Sequence, residues 1–138
     1  MTEELISTEI ILCDAAQVAD GKLYIIGGGW NISEVKNPAM AIAVMVTIPW
    51  SIANRRFKWS LELLDEDANP VRVGDESKPI IIEGSFEVGR PPGLKPGTTF
   101  NVPLVMNSIG TPLEEKSNYR WEFKLDGNPE ASVAFYTK

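Results

Sequence analysis

A chain of 138 residues, 43% of them hydrophobic, is the size of one domain that buries about two thirds of its unfolded surface without covalent staples. Its one cysteine, Cys13, permits no intrachain disulfide and no thiolate metal site of the usual two to four cysteines, and the absence of histidine removes the commonest general base, the commonest metal ligand and every Ser–His or Cys–His nucleophile. Nineteen acidic residues against thirteen basic ones leave a net charge of −6 with no long basic run, which argues against a nucleic-acid partner, because that binding needs phosphates neutralised by Lys and Arg.

At the start of the chain, Ile10–Cys13 is too short for the apolar core of a secretion signal, and Glu3 and Glu4 stand where such a signal carries positive charge. No stretch approaches the about 20 apolar residues that a spanning helix needs. The expectation is a soluble protein, cytoplasmic unless carried out as part of an assembly, with no membrane partner. Ser7 to Ala15 alternates weakly and Lys22 to Gly28 is rich in β-formers, with Ala19-Asp20-Gly21-Lys22 as the turn between them.

Gly27-Gly28-Gly29 then invites comparison with a phosphate-binding loop. That chemistry needs glycines opening a helix and, for the P-loop, a following Lys and Ser or Thr; here the next residues are Trp30-Asn31-Ile32-Ser33-Glu34. The three glycines are therefore expected to be structural, a β-bulge or a place where a neighbouring backbone or the Trp30 ring approaches closely. Cys13 beside Asp14 is expected to be a small buried hydrophobe, since an adjacent carboxylate disfavours the thiolate.

Met40 to Ile48 is almost continuously apolar, as in a central strand buried on both faces; its β-branched content and the Pro49 stop favour a strand over the rival helix. Trp50 lies at the exit of that strand. A tryptophan there either plugs the end of a sandwich or offers a rigid face to a sugar or a protein. Phe57-Lys58-Trp59-Ser60-Leu61-Glu62-Leu63 alternates as a half-buried strand must. The acidic cluster Asp65-Glu66-Asp67, with Asp75-Glu76 nearby, lacks the spacing and glycine of a calcium loop and is expected to be a solvated turn.

Ile80 to Val88 and Thr99 to Met106 are further strands, joined by Gly89-Arg90-Pro91-Pro92-Gly93-Leu94-Lys95-Pro96-Gly97. Prolines and glycines make that connection stiff, with little entropy to lose on binding, so that Arg90, Pro91, Pro92 and Leu94 join Trp50 as candidate partner contacts. Tyr119-Arg120-Trp121-Glu122-Phe123-Lys124-Leu125 repeats the alternation with larger side chains. Ala131 to Thr137 closes the set as the second arm of a hairpin through Asp126-Gly127.

These elements predict a single domain over residues 1–138: an all-β, antiparallel, immunoglobulin-like sandwich of about eight strands. No catalytic constellation, cofactor or metal is expected.

The string Cys13-Asp14, Ala16-Gln17-Val18, Gly21-Lys22-Leu23 and Gly27-Gly28-Gly29-Trp30 resembles an uncharacterised family of small proteins from bacteria, chiefly actinobacteria, and tailed phages. Pro49-Trp50, Ala53-Asn54, Leu61-Glu62-Leu63 and Glu83-Gly84 through Phe86-Glu87-Val88-Gly89-Arg90-Pro91-Pro92-Gly93-Leu94 match the same pattern. The family is a domain of unknown function, so the resemblance carries no catalytic residues over. Where its members tend to have a tight Asp-Gly turn, this chain reads Asp67-Ala68-Asn69-Pro70. The phage resemblance implies a non-catalytic accessory or decoration subunit of a larger assembly such as a virion capsid or tail, bound to a protein partner or to further copies of itself. The alternative is a sandwich that binds a glycan or small ligand through Trp50 and adjacent loops.

Overall fold

The two-residue alternation resolves into paired strands in a computed structural model, which describes residues 5–34 and 39–138. In chain order they are β1 (Ser7–Ala19), β2 (Lys22–Gly28), β3 (Ile32–Ser33), β4 (Met40–Ile48), β5 (Arg55–Asp65), β6 (Arg72–Val73), β7 (Lys78–Pro79), β8 (Ile81–Val88), β9 (Phe100–Ser108), β10 (Ser117–Leu125) and β11 (Asn128–Thr137). The acidic start at Glu3 and Glu4 lies outside the described residues. All eight segments expected as strands are strands, and the two-residue β3, β6 and β7 are additions. The helical reading of Met40 to Ile48 is excluded. No helix among the described residues is long and apolar enough to cross a membrane; the short 3-10 turn Trp50–Ile52 follows Pro49, whose ring ends the β4 ladder.

One main sheet has the order β2-β1-β4-β9 and the other β3-β11-β10-β5-β8, while β6 and β7 pair in a separate two-stranded ladder. The pairings are antiparallel except that of β3 with β11. The two sheets face each other as an antiparallel sandwich. Leu12, Ile42, Val44, Val46 and Ile48 from the first sheet meet Phe57, Leu61, Leu63, Trp121, Phe123 and Leu125 from the second in one buried cluster. Alternate residues reach this layer because successive side chains point to opposite faces of a strand. The Trp121 indole N–H, buried in the layer, reaches Met40 Sδ at 3.4 Å.

The hairpins at Asp20-Gly21 (φ 51° and 69°) and Asp126-Gly127 (φ 49° and 82°) have both central residues left-handed, the geometry whose twist matches that of the flanking strands. The second is the terminal β10–β11 hairpin expected from the sequence.

β1 runs four residues beyond its expected end, and the reason is its change of partner. Ser7 to Cys13 pair with β4, Cys13 pairs with β2 as well, and Ala15 to Ala19 pair only with β2. The second half of β1 thus leaves the sheet as a two-stranded ribbon. That ribbon folds back over the sheet's outer face: Leu23, with Ile11 and Ala16, packs on a floor of buried Cys13, Ala41 and Ala43, and β2 approaches β9 although β1 and β4 separate them in the sheet order. This explains why β4 is buried on both faces. Its inner residues are large, and the outer ones beneath Leu23, Ala41 and Ala43, are small, so that the ribbon can lie close there.

Candidate interaction surfaces

Trp50 and Arg90 are brought together by the sandwich topology. Arg55, at the start of β5, pairs with Val88, at the end of β8, so the residues just before β5 and just after β8 are neighbours. Arg90 uses this proximity to donate from Nε (3.2 Å) and Nη2 (2.6 Å) to the main-chain oxygen of Trp50. Its guanidinium carbon lies 5.1 Å from the centre of the Trp50 ring, and the same ring stacks on Phe100 at 5.8 Å and 18°. Phe100 is available because it pairs with Ile48 across β4 and β9. Half-buried Trp50 is therefore held by an aromatic ring and a cation, which leaves it less free surface for a sugar than an isolated loop tryptophan has.

Beyond Arg90 the β8–β9 connection stays at the surface. Pro91, Pro92 and Leu94 are exposed, Leu94 with 41% of its surface open. Thr98 N–H donates to Lys95 O at 3.1 Å and closes the far turn. The result is a short arch with one anchored end, carrying an apolar tip.

Gly27 and Gly28 have separate steric reasons. Gly27 has φ 63°, and a Cβ there would sit 2.2 Å from Asp14 Oδ2; at Gly28 a Cβ would sit 2.8 Å from Ile25 Cγ2. At both the close approach comes from side chains, those of Asp14 and Ile25. Gly29 (φ 93°) donates its N–H to Leu12 O at 2.8 Å, turning the chain toward Trp30. Trp30 is half-buried and packs edge-on to Phe135 with centroids 6.2 Å apart. Cys13 is fully buried with Sγ 3.4 Å from Ala41 O; burial, and after it the Asp14 charge, pushes its thiol above the ordinary range. This is the opposite of what a reactive cysteine needs.

The carboxylate of Asp65 is spent on its own turn, accepting from the N–H groups of Asp67 and Asn69 at 2.9 Å each. Ala68 takes φ 63° in this turn, the place where an Asp-Gly turn would put glycine. Among the described residues there is no group of three His, Cys, Asp or Glu placed to hold a metal ion.

Two surfaces escaped the sequence reading. The first is the ribbon itself: Tyr24, Ile25 and Ile26 of β2 are 51%, 40% and 70% exposed, and beneath the ribbon runs a cleft of about 320 Å3 lined by Glu9, Ile11, Leu23, Ile25, Ala43 and Met45. Four successive apolar residues without alternation, Leu23 to Ile26, were its available signal. The second is an open groove of about 480 Å3 bordered by Lys58, Trp59, Ser60, Glu83, Ser85 and Gly127, where Gly84 lets the Trp59 indole lie against the β8 backbone. Its pairing partners are 25 residues apart, and nothing local in either strand marks them.

The chain belongs to a family of unknown function, DUF6941, which matches residues 9–138. No curated protein and no solved structure matches it.

Proposed function

We propose that this chain is a non-catalytic structural and interaction module, an accessory or decoration subunit that joins a larger assembly through a protein partner. The supporting observation is the contrast between its two flanks. On the second sheet the outward residues of β5 and β10 include Lys58, Glu62, Arg120, Glu122 and Lys124, a mixed-charge face suited to water. On the first sheet, Tyr24, Ile25 and Ile26 stand exposed on one strand at its edge. Exposed apolar side chains gathered on one element mark interaction sites rather than ordinary surface. The arch of Pro91, Pro92 and Leu94, anchored through Arg90, adds a second preorganised contact. The architecture is taken as immunoglobulin-like in the broad sense of two facing sheets with loops at both ends, a scaffold that serves adhesion and assembly in many settings. Assignment of the assembly to a phage virion rests on the resemblance to proteins of tailed phages.

Native mass determination of the protein purified from its source tests this reading. The expected result is a mass well above one chain, with a second component present; a uniform monomer without a partner overturns it.

The groove beside Trp59 favours a second reading, a glycan or small-ligand site, because it sets one aromatic edge among the polar groups of Lys58, Ser60, Glu83 and Ser85. Quenching of tryptophan fluorescence across a glycan panel, lost in Trp59→Phe, is its expected signature; no quenching with any glycan sinks it.

A further inference from the structure

We propose that β2 is a self-recognition edge: two copies of this chain pair their β2 strands antiparallel about a two-fold axis, joining two β1–β2 ribbons into one four-stranded ribbon. The proposal rests on the interaction-module reading and names its partner as a second copy. Edge strands present unpaired N–H and C=O groups, and native proteins protect them with proline, charge or brevity. Of the four strands that end the two main sheets among the described residues, three are protected in that way. β9 carries Pro103 in its middle, β8 carries Glu83 and Glu87, the latter paired with Arg56 at 2.7 Å, and β3 is two residues long. β2 has none of these devices between Lys22 and Gly27, and among the described residues its main chain bonds only to β1.

The occupant follows from charge and register. A chain of net charge −6 resists any self-interface that brings carboxylates together, yet no acidic residue occurs between Asp20 and Glu34. A two-fold axis perpendicular to the sheet requires facing residues to share a face, so positions that meet must sum to an even number. Centred on Ile25, the pairing sets Ile25 against Ile25 of the second copy, Tyr24 against Ile26 and Leu23 against Gly27. Every pair is free of like charge and the central three are uncharged, set by Ile25, Ile26 and the Tyr24 ring.

Tyr24, Ile25 and Ile26, at 51%, 40% and 70% exposure, supply the apolar surface of the pairing, and the edge of a single strand places it among weak, reversible dimers. Pairing also relieves the ribbon, since an isolated two-stranded hairpin is marginal in water.

Sedimentation velocity of the pure full-length chain across roughly 1–500 µM, a range that spans dissociation constants of weak dimers, is the test. The wild type is expected to show a concentration-dependent monomer–dimer equilibrium. Ile26→Lys and Tyr24→Lys, both at exposed positions that do not threaten folding, are expected to weaken it at least about tenfold, one charge at the centre of an apolar pairing being sufficient. Ile109→Lys, at a residue 84% exposed and away from β2, is expected to leave it unchanged. A wild type that stays monomeric throughout, or a dimer indifferent to Ile26→Lys, overturns the self-pairing. Either outcome does so even where material from the source travels in a complex, a result that would leave the interaction-module reading standing.

Discussion

Arg90 holds the main-chain oxygen of Trp50 in a fork of two N–H donors, at 3.2 and 2.6 Å, across 40 residues of sequence. The contact ties the start of the β8–β9 arch to the turn that leaves β4. A guanidinium is suited to this because its donors are fixed in one plane and its face stacks on the indole that it serves.

Arg90→Ala is expected to cost about 1 kcal/mol, the scale of an exposed charge-assisted hydrogen bond after solvent screening, and to lower the melting temperature by about 3–5 °C for a domain of this size. Arg90→Lys is expected to recover less than half of that, since an ammonium does not reproduce the fork. The decisive readout is amide hydrogen exchange over residues 89–99, expected to accelerate in both variants. Exchange that stays as slow as in the wild type would show the arch to be held by something else.

The Trp59 ring lies against Gly84 so closely that a Cβ there would stand 2.5 Å from Cζ2. On its other side the indole is stacked with fully buried Phe123 at 6.2 Å, so it has little room to withdraw. Gly84→Ala is accordingly expected to destabilise by about 1–3 kcal/mol, as overpacking does. In the double variant with Trp59→Phe the smaller ring makes room, and the combined loss should fall below the sum of the single losses. Urea unfolding of the four proteins measures the coupling; strict additivity would mean that the methyl and the indole do not compete.

Much of the fold was legible because burial here is one-sided and regular. Phe57 to Leu63 and Tyr119 to Leu125 face the core with every second residue, and alternation reports that directly. β5 runs two residues further at each end and β10 two further at its start, since ladder hydrogen bonds continue past the last buried side chain, while β10 ends at Leu125 as expected. β1 misled the eye for a different reason. Its second half has no sheet face to alternate against, only the ribbon partner, so Ala15 to Ala19 carry no periodic signal. The juxtaposition of Trp50 with Arg90 was not legible at all, because it runs through a main-chain carbonyl and depends on which strands are neighbours. The fold-back of the ribbon was hidden as well: small Ala41 and Ala43 beneath Leu23 read as a buried strand without saying what covers them.

Ala68 sits at φ 63° in the turn that Asp65 organises, a conformation that costs a residue with a Cβ roughly 1 kcal/mol. Ala68→Gly removes that strain and adds back about 0.5–1 kcal/mol of unfolded-state entropy, so the expected net is a gain between nothing and about 0.5 kcal/mol. Ala68→Val is expected to lose stability, since branching at Cβ worsens the same conformation. Thermal unfolding of the pair decides the matter, and a glycine variant clearly less stable than the wild type would contradict it.

Asp126 gives the chain an acid-sensitive contact. Its carboxylate accepts from the Lys58 main-chain N–H at 3.0 Å and pairs with Arg55 at 3.0 Å; the backbone hydrogen bond above all, and then Arg55, hold it below the ordinary carboxylate range. A group whose folded pKa is depressed contributes stability above its unfolded value, near 3.9 for aspartate, and loses it as the pH falls through the lower folded value. Glu130 works in the opposite sense, because burial raises it: its penalty is present at neutral pH and is relieved as the pH falls through its folded pKa toward the ordinary range. Asp126→Asn keeps a residue that tolerates positive φ and an oxygen that can accept from Lys58, but removes the titrating charge. The variant is therefore expected to be less stable than the wild type at pH 7, and the difference is expected to shrink toward zero at about pH 2–3, below the ordinary carboxylate range. Glu130→Gln should do the reverse, gaining relative to the wild type at pH 7. Urea midpoints at the two pH values test both, and a difference for Asp126→Asn that stays constant with pH would assign the contact no role in the acid response.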